Sequence, residues 1–132
     1  ADLSNLKPTK ETIEVILKHP STGETLMNDD GTEMSVTVYA PYTKKYRSAG
    51  FSLAQRRMKD GDKKDIMDFT FEELEVSGVE LLAEVTVDWD ITYDGKKPKF
   101  TKAKAKEVYE EIFWMKGQIE EVIGDSLDFT KL

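Results

Sequence analysis

An α+β fold dominated by helix, opening with a β-hairpin and continuing through three or four helices, follows from three features of the sequence. Two short runs near the start alternate apolar and polar residues with the period of a strand, and turn-forming residues separate them. Three later stretches repeat apolar residues at helical spacing. The 132 residues are 39% apolar and include two Trp, five Tyr and six Phe, enough for one core and too few for two full domains.

Residues 1–11 mix polar side chains with Pro8 and hold no period, which predicts a mobile lead-in to a single domain over residues 12–132. Over residues 12–18, Ile13, Val15 and Leu17 alternate with Glu14, Ile16 and Lys18, the pattern of a half-buried strand. Over residues 34–40, Met34, Val36 and Val38 share one face, and Ser35, Thr37 and Tyr39 the other. Pro20-Ser21-Thr22-Gly23 and Asn28-Asp29-Asp30-Gly31 lie between the runs and let the chain double back as a long antiparallel hairpin.

Pro41 then ends the strand and can open a helix through its fixed φ. Tyr42, Tyr46, Ala49 and Leu53 recur at helical spacing to about residue 59, with Gly50 as a weak point. Thr70 and Glu73 form a capping box for a second helix, in which Phe71, Leu74, Leu81, Leu82 and Val85 share a face as far as about residue 87. Gly78, midway, marks a close approach or a weak point. Asp94-Gly95-Lys96-Lys97-Pro98 predicts a water-facing turn that closes a short hairpin between Ile91 and Phe100. Thr101 is placed to cap a third helix whose apolar stripe is Val108, Tyr109, Ile112, Met115, Ile119 and Ile123, and Gly117 and Gly124 are expected to divide it in two.

Charge narrows the function classes. A net charge of −7 disfavours general attraction to nucleic acid or anionic lipid. The longest stretch without a charged side chain, residues 34–43, is about half of the roughly 20 residues a membrane-spanning helix needs. The opening Ala-Asp-Leu-Ser-Asn-Leu has neither the basic start nor the apolar run of a secretory signal, and the absence of cysteine suits a reducing compartment, so a cytoplasmic protein is expected. The charge is also segregated. Residues 43–64 carry eight Lys and Arg against two Asp, a balance of +6, and residues 65–100 carry ten acids against three Lys, a balance of −7. Such segments can meet within a subunit or between subunits.

Catalytic constellations are missing from the pattern. His19 is the one histidine, sits before Pro20 in a predicted turn, and reads as a surface turn residue. Ser21 and Ser126 lie in no nucleophile elbow, and there is no phosphate loop or dinucleotide fingerprint. Asp88 and Asp90 flank Trp89, and Asn28-Asp29-Asp30-Gly31 has a trace of a calcium loop, but that loop's first and last ligands would fall on Leu26 and Thr37. No catalytic residue, metal site or cofactor is therefore expected. Residues 42–64 do interleave aromatics with cations, so a nucleic-acid-binding regulator is a rival reading, which the negative total charge opposes.

Two stretches resemble the tail assembly chaperones of long-tailed, siphovirus-type bacteriophages. One is Glu14-Val15-Ile16-Leu17-Lys18-His19-Pro20-Ser21-Thr22-Gly23, continued by Asp30-Gly31, Val36-Thr37-Val38-Tyr39 and the Tyr46-Arg47 helix. The other is Phe100-Thr101, Val108-Tyr109, Phe113-Trp114-Met115, Gln118-Ile119 and Ser126-Leu127-Asp128-Phe129, with Leu81-Leu82-Ala83 and Val87-Asp88-Trp89 resembling the family's middle helix and the tryptophan after it. The resemblance lies in the order and spacing of weak motifs over most of residues 12–129.

The resemblance implies a non-enzymatic factor that coats the tape measure protein and keeps it soluble and extended until tail tube subunits polymerise around it. It implies action in the cytoplasm of the infected bacterium and absence from the mature virion. It also implies a longer, frameshifted form that engages the tail tube protein, with this chain corresponding to the shorter one. The alternative is a structural head-tail connector or tail completion protein. Phe113-Trp114-Met115 places bulky apolar residues on adjacent helical faces, so Tyr109, Phe113, Trp114, Met115 and Ile119 are the candidates for client contact. Arg47, Arg56 and Arg57 facing Glu72, Glu73 and Glu80 of the next subunit are the candidates for head-to-tail homo-oligomerisation.

Overall fold

The computed structural model describes residues 2–59 and 71–127, the side chains of 56–59 and 71–75 excepted. Alternation becomes pairing in β1 (Thr12–Ile16) and β2 (Ser35–Tyr39), which run antiparallel with Val15 opposite Val36 and Ile13 opposite Val38. The predicted inward face is the one buried: Val15, Leu17, Val36 and Val38 are each at most 2% exposed. Each such side chain contributes roughly 1.5–3 kcal/mol of burial energy, which fixes the register, because a one-residue slip would turn the set to solvent. Residues 2–11 are exposed and hold a short 3₁₀ helix, Leu3–Leu6, capped by the Asp2 carboxylate on the Ser4 N–H at 3.0 Å.

The long connection is tied in two steps. Gly23 and Gly31 take φ of +75° and +86°, at the ends of the two turns expected there. Leu26 returns between the strand ends: its N–H donates to Leu17, its carbonyl accepts from Met34, and the Met34 carbonyl accepts from Leu17, a closed ring of three main-chain bonds.

α1 (Lys44–Lys59) starts three residues later than Pro41 suggests. Ala40 to Thr43 form a turn, and the Thr43 hydroxyl accepts from the Tyr46 N–H at 3.3 Å, supplying the cap that proline cannot. α2 (Phe71–Val85) gives way without a linker to β3 (Thr86–Asp90), a strand the sequence pattern does not predict and whose first two residues fall at the end of the predicted helix. Thr70, the predicted cap, lies outside the described residues. The sheet is thus three-stranded and antiparallel, in the order β1-β2-β3.

β3 carries a bulge. Asp88 pairs with Thr37 while Thr86 pairs with Val38, leaving Val87 as the extra residue. Both Thr86 and Trp89 then point into the core, three residues apart, which a regular strand forbids. The Trp89 indole donates to the Pro98 carbonyl at 2.9 Å and meets the Phe100 and Tyr109 rings edge-on. Asp94 (φ 54°) and Gly95 (φ 72°) make the expected turn, but the hairpin expected between Ile91 and Phe100 shrinks to a single bridge in which the N–H and C=O groups of Tyr93 and Lys96 bond each other.

α3 (Lys102–Glu111) begins at Thr101, whose hydroxyl accepts from the Lys104 N–H at 3.0 Å, as predicted. The predicted division of the last helix is present but misplaced. It falls at Ile112, with φ −110° and ψ 65°, and α4 (Phe113–Ser126) passes through Gly117 and Gly124 unbroken. Glycine in a helix costs only about 1 kcal/mol, less than burying Met115, Ile119 and Ile123 against the sheet returns. Among the described residues, an N-terminal strand pair, a third strand between α2 and α3, and four α-helices make this an α+β fold, and no helix there is long and apolar enough to cross a membrane.

Candidate interaction surface

The break at Ile112 decides which apolar side chains reach solvent. Tyr109 and Phe113 are four residues apart, so an unbroken helix would set them on one face. With the helix restarted at Phe113, Tyr109 is fully buried while the Phe113 ring is 73% exposed. Of the five client-contact candidates, Tyr109, Met115 and Ile119 therefore belong to the core, Trp114 is half-buried, and Phe113 stands outward. The stripe Val108, Tyr109, Met115, Ile119 and Ile123 packs as one buried row across both helices.

Phe113 borders a groove of about 550 Å³ between α2 and the α3–α4 corner, lined also by Val76, Val79, Glu110, Lys116 and Glu120. Val76 is 44% exposed, so the groove offers an apolar floor with ions at its rim. Lys116 pairs with Glu120 at 2.9 Å and lies across α2 at Gly78, where an added Cβ would meet its Cε at 3.1 Å. This is the close approach that Gly78 suggested. Neither Val76 nor Gly78 was singled out as a binding residue from sequence; exposure of Val76 becomes visible only when α2 is docked.

Beneath the groove sits a buried polar relay. The Thr86 hydroxyl donates to the Leu82 carbonyl at 2.6 Å, and since it has one proton, the Tyr109 hydroxyl at 2.8 Å must be the donor to Thr86. Burial pushes the Tyr109 phenol up to about 12. Among the described residues no buried side-chain nitrogen or oxygen lacks a hydrogen-bond partner, those of this relay included.

α1 and α2 pack against each other within one subunit. Arg47 is exposed, with its Nε 3.4 Å from the Thr43 carbonyl, and Glu80 is half-buried on α2. Arg56, Arg57, Glu72 and Glu73 have side chains outside the described residues. The aromatics of the basic segment are used structurally: Tyr42 donates to the Lys10 carbonyl at 2.9 Å, and Tyr46 packs on the core. Phe51 alone of these rings is largely exposed, which is a poor platform for stacking bases.

The acidic residues and the histidine have local work. His19 Nδ1 accepts from the Ser21 and Thr22 amides at 3.1 and 3.2 Å, closing the turn that Gly23 ends. Lys97 bridges Asp30 at 2.5 Å and Asp90 at 2.9 Å, and its ammonium holds the Asp30 carboxyl well below the usual carboxylate range. Buried Asn28 joins the same knot through Asp90, Thr32 and Thr92. A lysine thus stands where a cation would have to bind, and among the described residues no group of three His, Cys, Asp or Glu could hold a metal.

Compared with protein-family models, with curated proteins and with solved structures, the chain matches none.

Proposed function

We propose that this protein is a tail assembly chaperone of the kind made by long-tailed bacteriophages. It binds the tape measure protein, keeps it soluble and extended, and is displaced as tail tube subunits polymerise around the client. The observation that carries the reading is Phe113, 73% exposed and lining with Val76 a groove between helices, in a chain whose motif order resembles that family. Grooves of this shape receive the apolar face of an amphipathic helix.

A coat that must later be stripped needs many weak contacts in place of one deep pocket. One aromatic and one valine form a patch far smaller than the roughly 800 Å² per partner of a stable interface, so a single engagement is weak and affinity comes from repetition along the client. Copies of the chaperone associate with one another, with Arg47 on the outer side of α1 as the available contact, and a longer frameshifted form reaches the tail tube protein. The protein changes no covalent bond, acts in the cytoplasm of the infected bacterium, and is missing from the finished particle. Mass spectrometry of purified particles tests this. The chain is expected to be absent, and its presence in fixed stoichiometry would overturn the proposal in favour of a connector or completion protein.

A further inference from the structure

Along β1 the outer edge of the sheet leaves main-chain groups without hydrogen bonds among the described residues, except at the end that Gln118 occupies. The bonds from Ala40 N–H to Glu11 and from Leu17 N–H to Met34 show that the odd-numbered residues of β1 pair with β2. By the alternation of an antiparallel ladder, Thr12, Glu14, Ile16 and Lys18 aim their N–H and C=O groups away from the sheet. At Lys18 both groups are taken: the Gln118 Oε1 accepts from its N–H at 3.0 Å, and the Gln118 Nε2 donates to its carbonyl at 2.8 Å. A primary amide carries the same donor and acceptor pair as a strand residue, so Gln118 occupies the place where the first rung of a neighbouring strand would fall.

At Thr12, Glu14 and Ile16 no hydrogen bond among the described residues closes the outward groups. The opposite edge is treated otherwise. There the outward Trp89 N–H is bonded to the Asp88 carboxylate at 2.9 Å, and the bulge at Val87 distorts the ladder. Edges left free of pairing are commonly blocked by proline, lysine or a bulge. β1 has none of these, and its one charged side chain is Glu14.

We propose that the outer edge of β1 docks an extended peptide segment of another protein, added as a fourth strand over Thr12, Glu14 and Ile16, with a basic residue facing Glu14 and apolar residues on either side of it. The side-chain preference follows from the register. A residue directly across from Glu14 shares its face, where an opposite charge is favoured. The residues flanking it lie on the core face beside Val15 and the partly buried Ile13, where apolar side chains extend the buried row. The chain's net charge of −7 also draws a basic partner. This site is separate from the Phe113 groove and stands or falls independently of the chaperone reading.

The test uses the full-length protein, the blocked peptide Ser-Val-Lys-Val-Ser, and its counterpart with Glu in place of Lys, with amide exchange followed residue by residue by NMR. In the free protein the amides of Thr12, Glu14 and Ile16 exchange as open groups, while those of Ile13 and Val15 are protected. The lysine peptide slows the three open amides at least about tenfold, and the glutamate peptide does so less. Glu14→Pro removes binding while keeping the β1–β2 bonds, since the N–H it deletes points outward. Glu14→Lys, which leaves the backbone alone, reverses the preference between the two peptides. The proposal is overturned if the three amides are already protected in the free protein, whether by its own chain or, with rising concentration, by a second copy. It is equally overturned if the lysine peptide protects none of them, or if Glu14→Lys does not invert the preference.

Discussion

Replacing the two hydroxyls of the buried relay, singly and together, gives a result that packing alone would not. Tyr109→Phe removes one donor but leaves the Thr86 proton on the Leu82 carbonyl, so the loss is about 0.5–1.5 kcal/mol. Thr86→Val strands two groups at once, the Tyr109 O–H and the Leu82 carbonyl, each costing about 1–3 kcal/mol when left unpaired in the core. Adding Tyr109→Phe to Thr86→Val then deletes one of the stranded groups. The double variant is therefore expected to be more stable than Thr86→Val alone, with a coupling of roughly 1–2 kcal/mol. Urea unfolding followed by circular dichroism measures all three. Additive losses would show that the two hydroxyls do not share a bond and would refute the proton assignment.

The same relay sets an alkaline limit. A phenol raised to about 12 in the folded state ionises more readily once unfolded, near 10. Its contribution is whole below pH 10 and is lost as pH rises towards 12, by roughly 2–3 kcal/mol in all. Tyr109→Phe should flatten that part of the stability profile.

Three further outcomes follow from the geometry. Gly50→Ala in α1, where a Cβ meets nothing within 4 Å, should raise stability by about 0.5–1 kcal/mol in the same unfolding assay. Lys97→Met should raise the Asp30 carboxyl towards the ordinary range without reaching it, since the Thr32 hydroxyl and amide still hold it low, read by NMR; a carboxyl held low stabilises the fold above its unfolded value and loses that as pH falls, so the variant should show a weaker acid-side dependence. Phe113→Ser should leave the unfolding free energy within about 0.5 kcal/mol of the parent, since the ring is mostly in solvent.

The elements legible in the sequence were those whose signal is local. The alternation of Ile13, Val15 and Leu17, the glycines at 23 and 31, the Asp94-Gly95 turn and the Thr101 cap each state their own conformation, and each is found in place. β3 was hidden because its bulge breaks the period of two, so Thr86-Val87-Asp88-Trp89 reads as the frayed end of a helix. The break at Ile112 was hidden for a different reason. Glycine is a weak local signal, whereas the position of the break is set by how α3 packs on α2 and α4 on β1, which no window of sequence contains.

The candidate surface was legible only in part. Phe113-Trp114-Met115 announced more apolar bulk than one helix face can hide, but which member faces water depends on the phase reset at Ile112. Gln118 gave no sign of its role, because a side chain that mimics a strand one hundred residues away has no local pattern.

The central claim is adhesion to a client polypeptide through the face that Phe113 occupies. It is tested most directly by co-expressing the chain with a tape measure protein and measuring how much of that client stays in the soluble fraction, for the parent and for Phe113→Ser. The account predicts a soluble client with the parent and a largely insoluble one with the equally stable variant. A client that is insoluble with both, or soluble to the same extent with both, would contradict it.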